Sequence, residues 1–193
     1  MTVRLFIGIE LDDAVTAAAS AAALELKARL DTRAPGFAAR WIDRTNLHIT
    51  LWFIGEVTER RAAEISDALR APFEVAPFSL SLMRCGAFPP TGAPRVLWIG
   101  TTKGTESMRE LYGHIEHRLV PLGFTAERRP YTPHLTIARV KDPGHAPGRV
   151  IRDAIAAIPA SCGESAVSAV TLFRSRLSPR GAAYEPLLRV PLT

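Results

Sequence analysis

Cysteine is nearly absent from this chain: Cys85 and Cys162 are the two in 193 residues, and no CxxC spacing relates them. A disulfide scaffold and a cysteine-built structural zinc site are both disfavoured on that count. Long hydrophobic runs are missing as well, for stretches such as Leu5-Phe6-Ile7-Gly8-Ile9 fall far short of the ~20 apolar residues that span a bilayer. No secretory leader precedes them, so a soluble, cytoplasmic protein without a membrane partner is expected. Charge of one sign is only mildly in excess, 24 Lys and Arg against 19 Asp and Glu. The resulting pI of about 9.8 suits an anionic partner such as nucleic acid without demanding one.

Histidine is also scarce, with five in all, yet two of them stand in matching contexts. His48-Ile49-Thr50-Leu51 returns as His134-Leu135-Thr136-Ile137, each inside a run that reads as a buried strand. Residues i and i+2 of a strand share a face, so each copy offers an imidazole and a hydroxyl on one side and aliphatic side chains on the other. Alone, a His-x-Thr run reads most simply as a half-buried histidine beside a β-favouring threonine. Two copies at equivalent places in a repeat point instead to one shared site.

The order of elements supports such a repeat. Leu5 to Ile9 reads as a strand, and Asp12 or Asp13 caps an Ala-rich helix to about Leu30. Trp41-Ile42 leads into the first motif strand, Thr58 caps a helix through Leu69 that turns Ile65, Ala68 and Leu69 inward, and Phe78 to Leu82 alternates as a strand. After the Pro89 to Pro94 loop the order resumes: strand Val96 to Gly100, helix 105–122, second motif strand, helix 150–158, strand Val167 to Phe173. A tail strand around Tyr184 to Val190, after the Pro179-Arg180-Gly181 turn, completes a hairpin.

This is a β-α-β-α-β unit written twice. The expected fold is α+β: two pseudo-twofold-related lobes, mostly antiparallel, facing a central cleft with helices outside. Residues 1–193 then form one bilobal domain with lobe-forming halves of about 1–90 and 94–193. Matching Gly8 to Gly100 makes Phe6 and Trp98 symmetry mates. Two independent domains, each with a lone histidine, are the alternative.

Histidine titrates near neutrality, with an unperturbed pKa of roughly 6.5. Displacement at a phosphodiester needs a base on the attacking oxygen and an acid on the leaving oxygen, which paired imidazoles supply without metal. Each Thr hydroxyl can donate to a non-bridging oxygen. Arg40 and Arg44 precede the first motif and Arg128, Arg129 and Arg139 flank the second; they line a phosphate-binding cleft or simply cap solvated strand ends. His114 and His117, one helical turn apart, lie beside Glu116 and Arg118 and read as a solvated face, and His145 as a loop residue, so no metal site is expected.

The chain resembles the 2H phosphoesterases, and within them the RNA 2′,3′-cyclic phosphodiesterases of the LigT/ThpR type, historically called 2′,5′ RNA ligases. The resemblance rests on Arg4-Leu5-Phe6-Ile7-Gly8-Ile9, Leu47 to Glu56, Gly86-Ala87-Phe88-Pro89, Pro94 to Gly100, Arg129-Pro130-Tyr131-Thr132-Pro133 through Arg139, and Leu177 to Gly181 followed by Tyr184. It implies opening of a terminal RNA 2′,3′-cyclic phosphate to a 2′-phosphomonoester, catalysed by His48, His134, Thr50 and Thr136 with no cofactor. It also implies reversible 2′,5′ RNA joining. An RNA end would be the partner of a monomer with no obligatory protein partner. A non-catalytic RNA-end binder and a phosphodiesterase of small cyclic nucleotides are the alternatives.

Arg139 matches a phosphate-holding position of the family, and Arg129 is a second candidate. Strict alternation puts Arg139 on the face opposite His134, a conflict that a β-bulge, a strong twist or a long reach round the strand end would remove. Phe6 and Trp98 either stack a terminal base or pack the core.

Overall fold

The computed structural model describes residues 1–144, 148–159, 161–178 and 181–193; His145 and the Pro179-Arg180 pair lie outside the described residues. The elements run β1 (Thr2–Ile9), α1 (Asp13–Arg33), β2 (Ala38–Trp41), β3 (Ile49–Thr58), α2 (Glu59–Leu69) and β4 (Phe78–Phe88). They continue as β5 (Val96–Thr101), α3 (Thr105–Leu119), β6 (His134–Asp142), α4 (Gly148–Ala156), β7 (Ser161–Val167), β8 (Ala169–Ser178) and β9 (Gly181–Pro191).

The strands form one nine-stranded antiparallel sheet in the order β7-β4-β5-β6-β3-β1-β8-β9, with β2 added against β6. That order is palindromic about the β6–β3 junction, where Ile49 pairs with Leu135. The duplication is therefore a feature of the sheet as well as of the sequence. Only Ser168 separates β7, at one edge of the order, from β8 near the other, so the sheet must curl until its ends approach.

The halves of the sheet are not the halves of the chain. β4 pairs with β5 and β7, whereas β8 pairs with β1. α1 packs on β7 and α4, while α3 packs on α2 and β3. Each repeat thus lends its first helix and its last strand to the half-sheet of the other. Sequence order shows which elements exist; it does not show which partner each one reaches across the dyad.

Local chemistry explains most elements. Thr58 accepts from the Arg61 N–H at 3.2 Å and caps α2, whose Ala62, Ile65 and Leu69 form the i, i+3, i+7 stripe that is buried. Met108, Leu111, Ile115 and Leu119 make the same stripe on α3. Asp12 differs from expectation: its side chain makes no capping bond on α1 and instead accepts from the Ala166 N–H at 2.9 Å, while its own N–H donates to Ser165 Oγ at 2.8 Å. It is a tie to β7. The run expected as one strand over 167–173 is two, broken at Ser168 where the chain changes sheet edge, and β2 was not expected at all.

Candidate active site

The site grows from the Ile49–Leu135 pair. Both side chains are fully buried, which by alternation turns His48, Thr50, His134 and Thr136 to the opposite face. Carried one residue either way, the antiparallel register sets His48 across from Thr136 and Thr50 across from His134. Two His-Thr pairs therefore surround one point on the dyad.

Immediately after each Thr the strand carries an extra residue. Along β1, Ile7 pairs with Trp52 and Gly8 with Thr50, leaving Leu51 over; along β5, Leu97 pairs with Ala138 and Trp98 with Thr136, leaving Ile137 over. Leu51 and Trp52 are both buried, as are Ile137 and Ala138, because a bulge places two consecutive side chains on one side. The next residue swings back to the histidine face. Arg139 thereby joins His134 and Thr136, and its conflict with strict alternation disappears.

Register also corrects the internal alignment. Gly8 opposes Thr50 and Trp98 opposes Thr136, so Gly8 corresponds to Trp98 and Phe6 to Val96. Matching the glycines by letter was two residues off, a shift that preserves facing and so leaves no trace in the hydrophobic pattern. Gly8 is small for a local reason: a Cβ there would lie 2.8 Å from the Ile49 carbonyl oxygen and 3.4 Å from the His48 ring.

Both imidazoles are held through Nδ1. That atom lies 2.7 Å from the Asn46 carbonyl oxygen in His48 and 2.7 Å from the Thr132 carbonyl oxygen in His134. A carbonyl only accepts, so Nδ1 carries the proton and the neutral ring presents the Nε2 lone pair. Nε2 of His48 is 3.1 Å from Thr50 Oγ1. Asn46 is itself anchored, its Nδ2 donating to the Ala182 carbonyl of β9 at 2.7 Å.

The rings are boxed by aromatic side chains. Phe6 lies over His48 at 4.6 Å between centroids and Tyr184 meets it edge-on at 5.0 Å, while Phe88 meets His134 edge-on at 5.0 Å. Burial lowers both imidazole pKa values; the Nδ1 bonds to carbonyls work against it, and the Arg139 charge lowers both further. One guanidinium is thus felt by both histidines.

A cavity of about 820 Å³ opens on this face and is lined by His48, Thr50, Thr136 and Arg139, with Arg4 and Arg40 farther along its wall. A second, of about 500 Å³, lies on the other side of His48 and Tyr184 and carries Glu10, Asp13 and Arg44. Arg129 is exposed and lines neither cavity. Phe6 is 4% exposed, covered by His48, Phe173 and Tyr184, so it offers no free face to a base. Among the described residues no three His, Cys, Asp or Glu side chains are grouped as a metal ion would require. No helix among them is long and apolar enough to cross a membrane.

A family model for LigT-like phosphoesterases matches the chain as two consecutive stretches, residues 14–98 and 99–184, one for each repeat. The chain belongs to that family. Among curated LigT-like relatives, one from Thermotoga maritima is 34% identical over 95% of this chain and 92% of its own length. Another, from Archaeoglobus fulgidus, is 33% identical over 95% and 97%. Both bear the name RNA 2′,3′-cyclic phosphodiesterase. Of solved structures, Escherichia coli LigT in complex with 3′-AMP superposes with a TM-score of 0.70 at 25% identity, over 100% of this chain and 99% of that one. A protein of Thermus thermophilus, TT0787, superposes at 0.73 with 28% identity, over 98% and 97%.

Several residues of this LigT-like site gave no prior signal. The carbonyls of Asn46 and Thr132, each two residues before its histidine, act through backbone, which any side chain could carry. Alternation sets Phe53 with Leu47, Ile49 and Leu51 on the face away from His48, whereas the structure turns it to the cavity beside His48 and Thr50; Tyr131 stands in the run before the second motif. Their facing depends on the loop before β6 and on the bulge in β3, neither of which composition encodes.

Proposed function

We propose that this protein opens terminal 2′,3′-cyclic phosphates of RNA to 2′-phosphomonoesters, with His48 and His134 as the acid–base pair. The observation that carries the reading is the register at Ile49–Leu135, around which both His-Thr pairs are disposed. The names of the relatives and the pairing of Arg139 with that centre support it.

The cyclic phosphate lies over the dyad with a non-bridging oxygen toward each threonine hydroxyl. A water oxygen attacks phosphorus from one side and the bond to the 3′ oxygen breaks on the other. One Nε2 lone pair takes the proton released by water, and the opposite Nε2–H gives a proton to the departing 3′ oxygen. The pair thus ends with its protons exchanged. Thr50 and Thr136 donate to the non-bridging oxygens as charge gathers there, and Arg139 offsets that charge. Thr50 Oγ1 leaves its 3.1 Å contact with His48 Nε2 to do so.

In the free protein both imidazoles favour the neutral form, which suits the base but not the acid. The anionic diester resolves this, because its charge offsets Arg139 and lets one ring take up a proton. With a ribose 5′ hydroxyl in place of water as the attacking group and the 3′ oxygen still leaving, the same step joins RNA ends through a 2′,5′ linkage, and its reverse cleaves that linkage.

The test is incubation with an oligoribonucleotide bearing a 2′,3′-cyclic phosphate, followed by identification of the phosphate isomer. A 2′-phosphate is expected; a 3′-phosphate would refute the leaving-group assignment. A wild-type protein that bound the cyclic end without opening it would instead make the site a binder of phosphate ends, and a His48→Ala protein that retained turnover would remove His48 from the acid–base pair.

A further inference from the structure

His48, Asn46 and Tyr184 line both cavities, so the two spaces meet at the His48 ring. Their charges differ. The larger carries Arg4, Arg40 and Arg139 against one carboxylate, Asp43, and suits the anionic cyclic end. The smaller carries Glu10, Asp13 and Arg44, and its cation is already answered: Arg44 donates to Asp13 Oδ1 at 2.5 Å and to the Asp13 carbonyl oxygen at 3.2 Å. Glu10 Oε2 accepts from the Thr171 hydroxyl at 2.9 Å, and the second oxygen of that carboxylate has no hydrogen-bond partner among the described residues. This smaller space repels a phosphate and welcomes a neutral group with N–H or O–H donors.

Size and walls fit a nucleoside. A volume of about 500 Å³ lies within the ~300–1,000 Å³ of small-molecule sites. Leu11, Phe173, Tyr184 and Pro186 give it apolar sides, while Glu10 and Thr16 supply polar atoms. The dyad is broken here. Tyr184 and Pro186 come from β9, whose counterpart in the palindromic order is β7, and β7 carries no aromatic residue. The two halves share a histidine and differ in what they hold beside it.

We propose that the smaller cavity binds the nucleoside whose free 5′ hydroxyl attacks the cyclic phosphate, the acceptor in RNA joining. This rests on the joining reaction proposed above. With the phosphate over the dyad and the acceptor beyond His48, the 5′ oxygen reaches phosphorus from the His48 side. His48 Nε2 takes the hydroxyl proton as the bond from the 5′ oxygen to phosphorus forms. The bond from phosphorus to the 3′ oxygen breaks, and His134 Nε2–H gives that oxygen a proton. Without an acceptor, water takes the same place, so occupancy of one cavity decides between joining and hydrolysis.

The experiment uses a 5′-phosphorylated oligoribonucleotide with a 2′,3′-cyclic end as donor. Three acceptors are titrated: a 5′-hydroxyl oligoribonucleotide, adenosine, and the first oligonucleotide acceptor with a 5′ phosphate. For the two hydroxyl acceptors the rate of joining should level off, and hydrolysis should fall with the same half-point; the phosphorylated one should do neither. Glu10→Gln and Pro186→Trp should raise that half-point about fivefold or more, while hydrolysis without acceptor stays within about twofold of wild type. Joining that rises linearly with undiminished hydrolysis, an unmoved half-point in both variants, or inhibition by the phosphorylated oligonucleotide to the same degree would overturn the acceptor site. A protein that hydrolyses the donor and forms no joined product would overturn it too, leaving the hydrolase intact. One that opens no cyclic end would overturn both.

Discussion

Tyr131 Oη donates to the Thr50 carbonyl oxygen at 2.9 Å, so the segment leading into one motif strand is bonded to the backbone of the other. The neighbouring residue, Thr132, supplies the carbonyl that holds His134 Nδ1, and Thr50 carries the hydroxyl beside His48. One phenol therefore couples the surroundings of both motif histidines. Tyr131 stacks on Tyr112 at 4.7 Å, and burial raises its pKa, which keeps the proton on the donor throughout the working range.

Tyr131→Phe keeps the stacking and removes only that bond. A stability loss of about 0.5–1.5 kcal/mol is expected, read as a lower denaturant midpoint with unchanged slope. Turnover should fall with little change in KM, because what loosens is the placement of the histidines.

Replacing His48 or His134 by Ala should each cost at least about a hundredfold in turnover. The double variant should be scarcely worse than either single one, since half an acid–base pair does little alone. Steady-state hydrolysis of the cyclic RNA end measures all three; additive losses would separate the two histidines functionally.

Both imidazoles are held below their ordinary pKa, chiefly by burial and in part by Arg139. In the unfolded chain they take up protons near ~6.5, and in the folded protein only at lower pH. Between those values the unfolded state binds more protons, so this contribution to stability is fully present above ~6.5 and is lost as pH falls through the folded pKa values. Urea midpoints measured on either side of that window should show it. The slope should flatten when both histidines are replaced by Gln.

The same depression predicts an acid limb of kcat/KM below ~6.5. Arg139→Gln removes a cation that disfavours the imidazolium, so that limb should move upward. In the proposed reaction it also removes a charge facing the phosphate, and kcat/KM should fall by about tenfold to a hundredfold. A pH profile of the variant separates the two effects: a loss of rate without a moved limb would place Arg139 away from the histidines.

Gly8→Ala should damage the site without touching substrate. Its Cβ would meet the Ile49 carbonyl oxygen at 2.8 Å, and Ile49 cannot retreat because it forms the pairing with Leu135 at the dyad. Reduced stability and reduced turnover are expected together, measurable by thermal melting and by rate.

The four residues of the site were legible because alternation and repetition are properties of letters: His48, Thr50, His134 and Thr136 share a face in any strand that buries Ile49 and Leu135. Arg139 could be assigned only by resemblance, since its facing is set by one extra residue in β6. Phe6 fits a stacking platform or a core residue by sequence alone, and the rings of His48, Phe173 and Tyr184 cover it. Arg129 lies close in sequence to the second motif, yet the loop carries it away from the cavity. Existence and type of most elements followed from periodicity, β2 and β7 excepted; the exchange of α1, α3, β4 and β8 across the dyad did not, because pairing choice depends on contacts distant in sequence.

That exchange has a consequence for the chain as a physical object. Cleaving the backbone in the Pro89 to Pro94 loop would yield two pieces, each with one motif histidine and each missing a helix and two strands of the half-sheet around that histidine. Neither piece can bury its own strands. Mixed, the two should restore both half-sheets at once and regain activity as an obligate heterodimer.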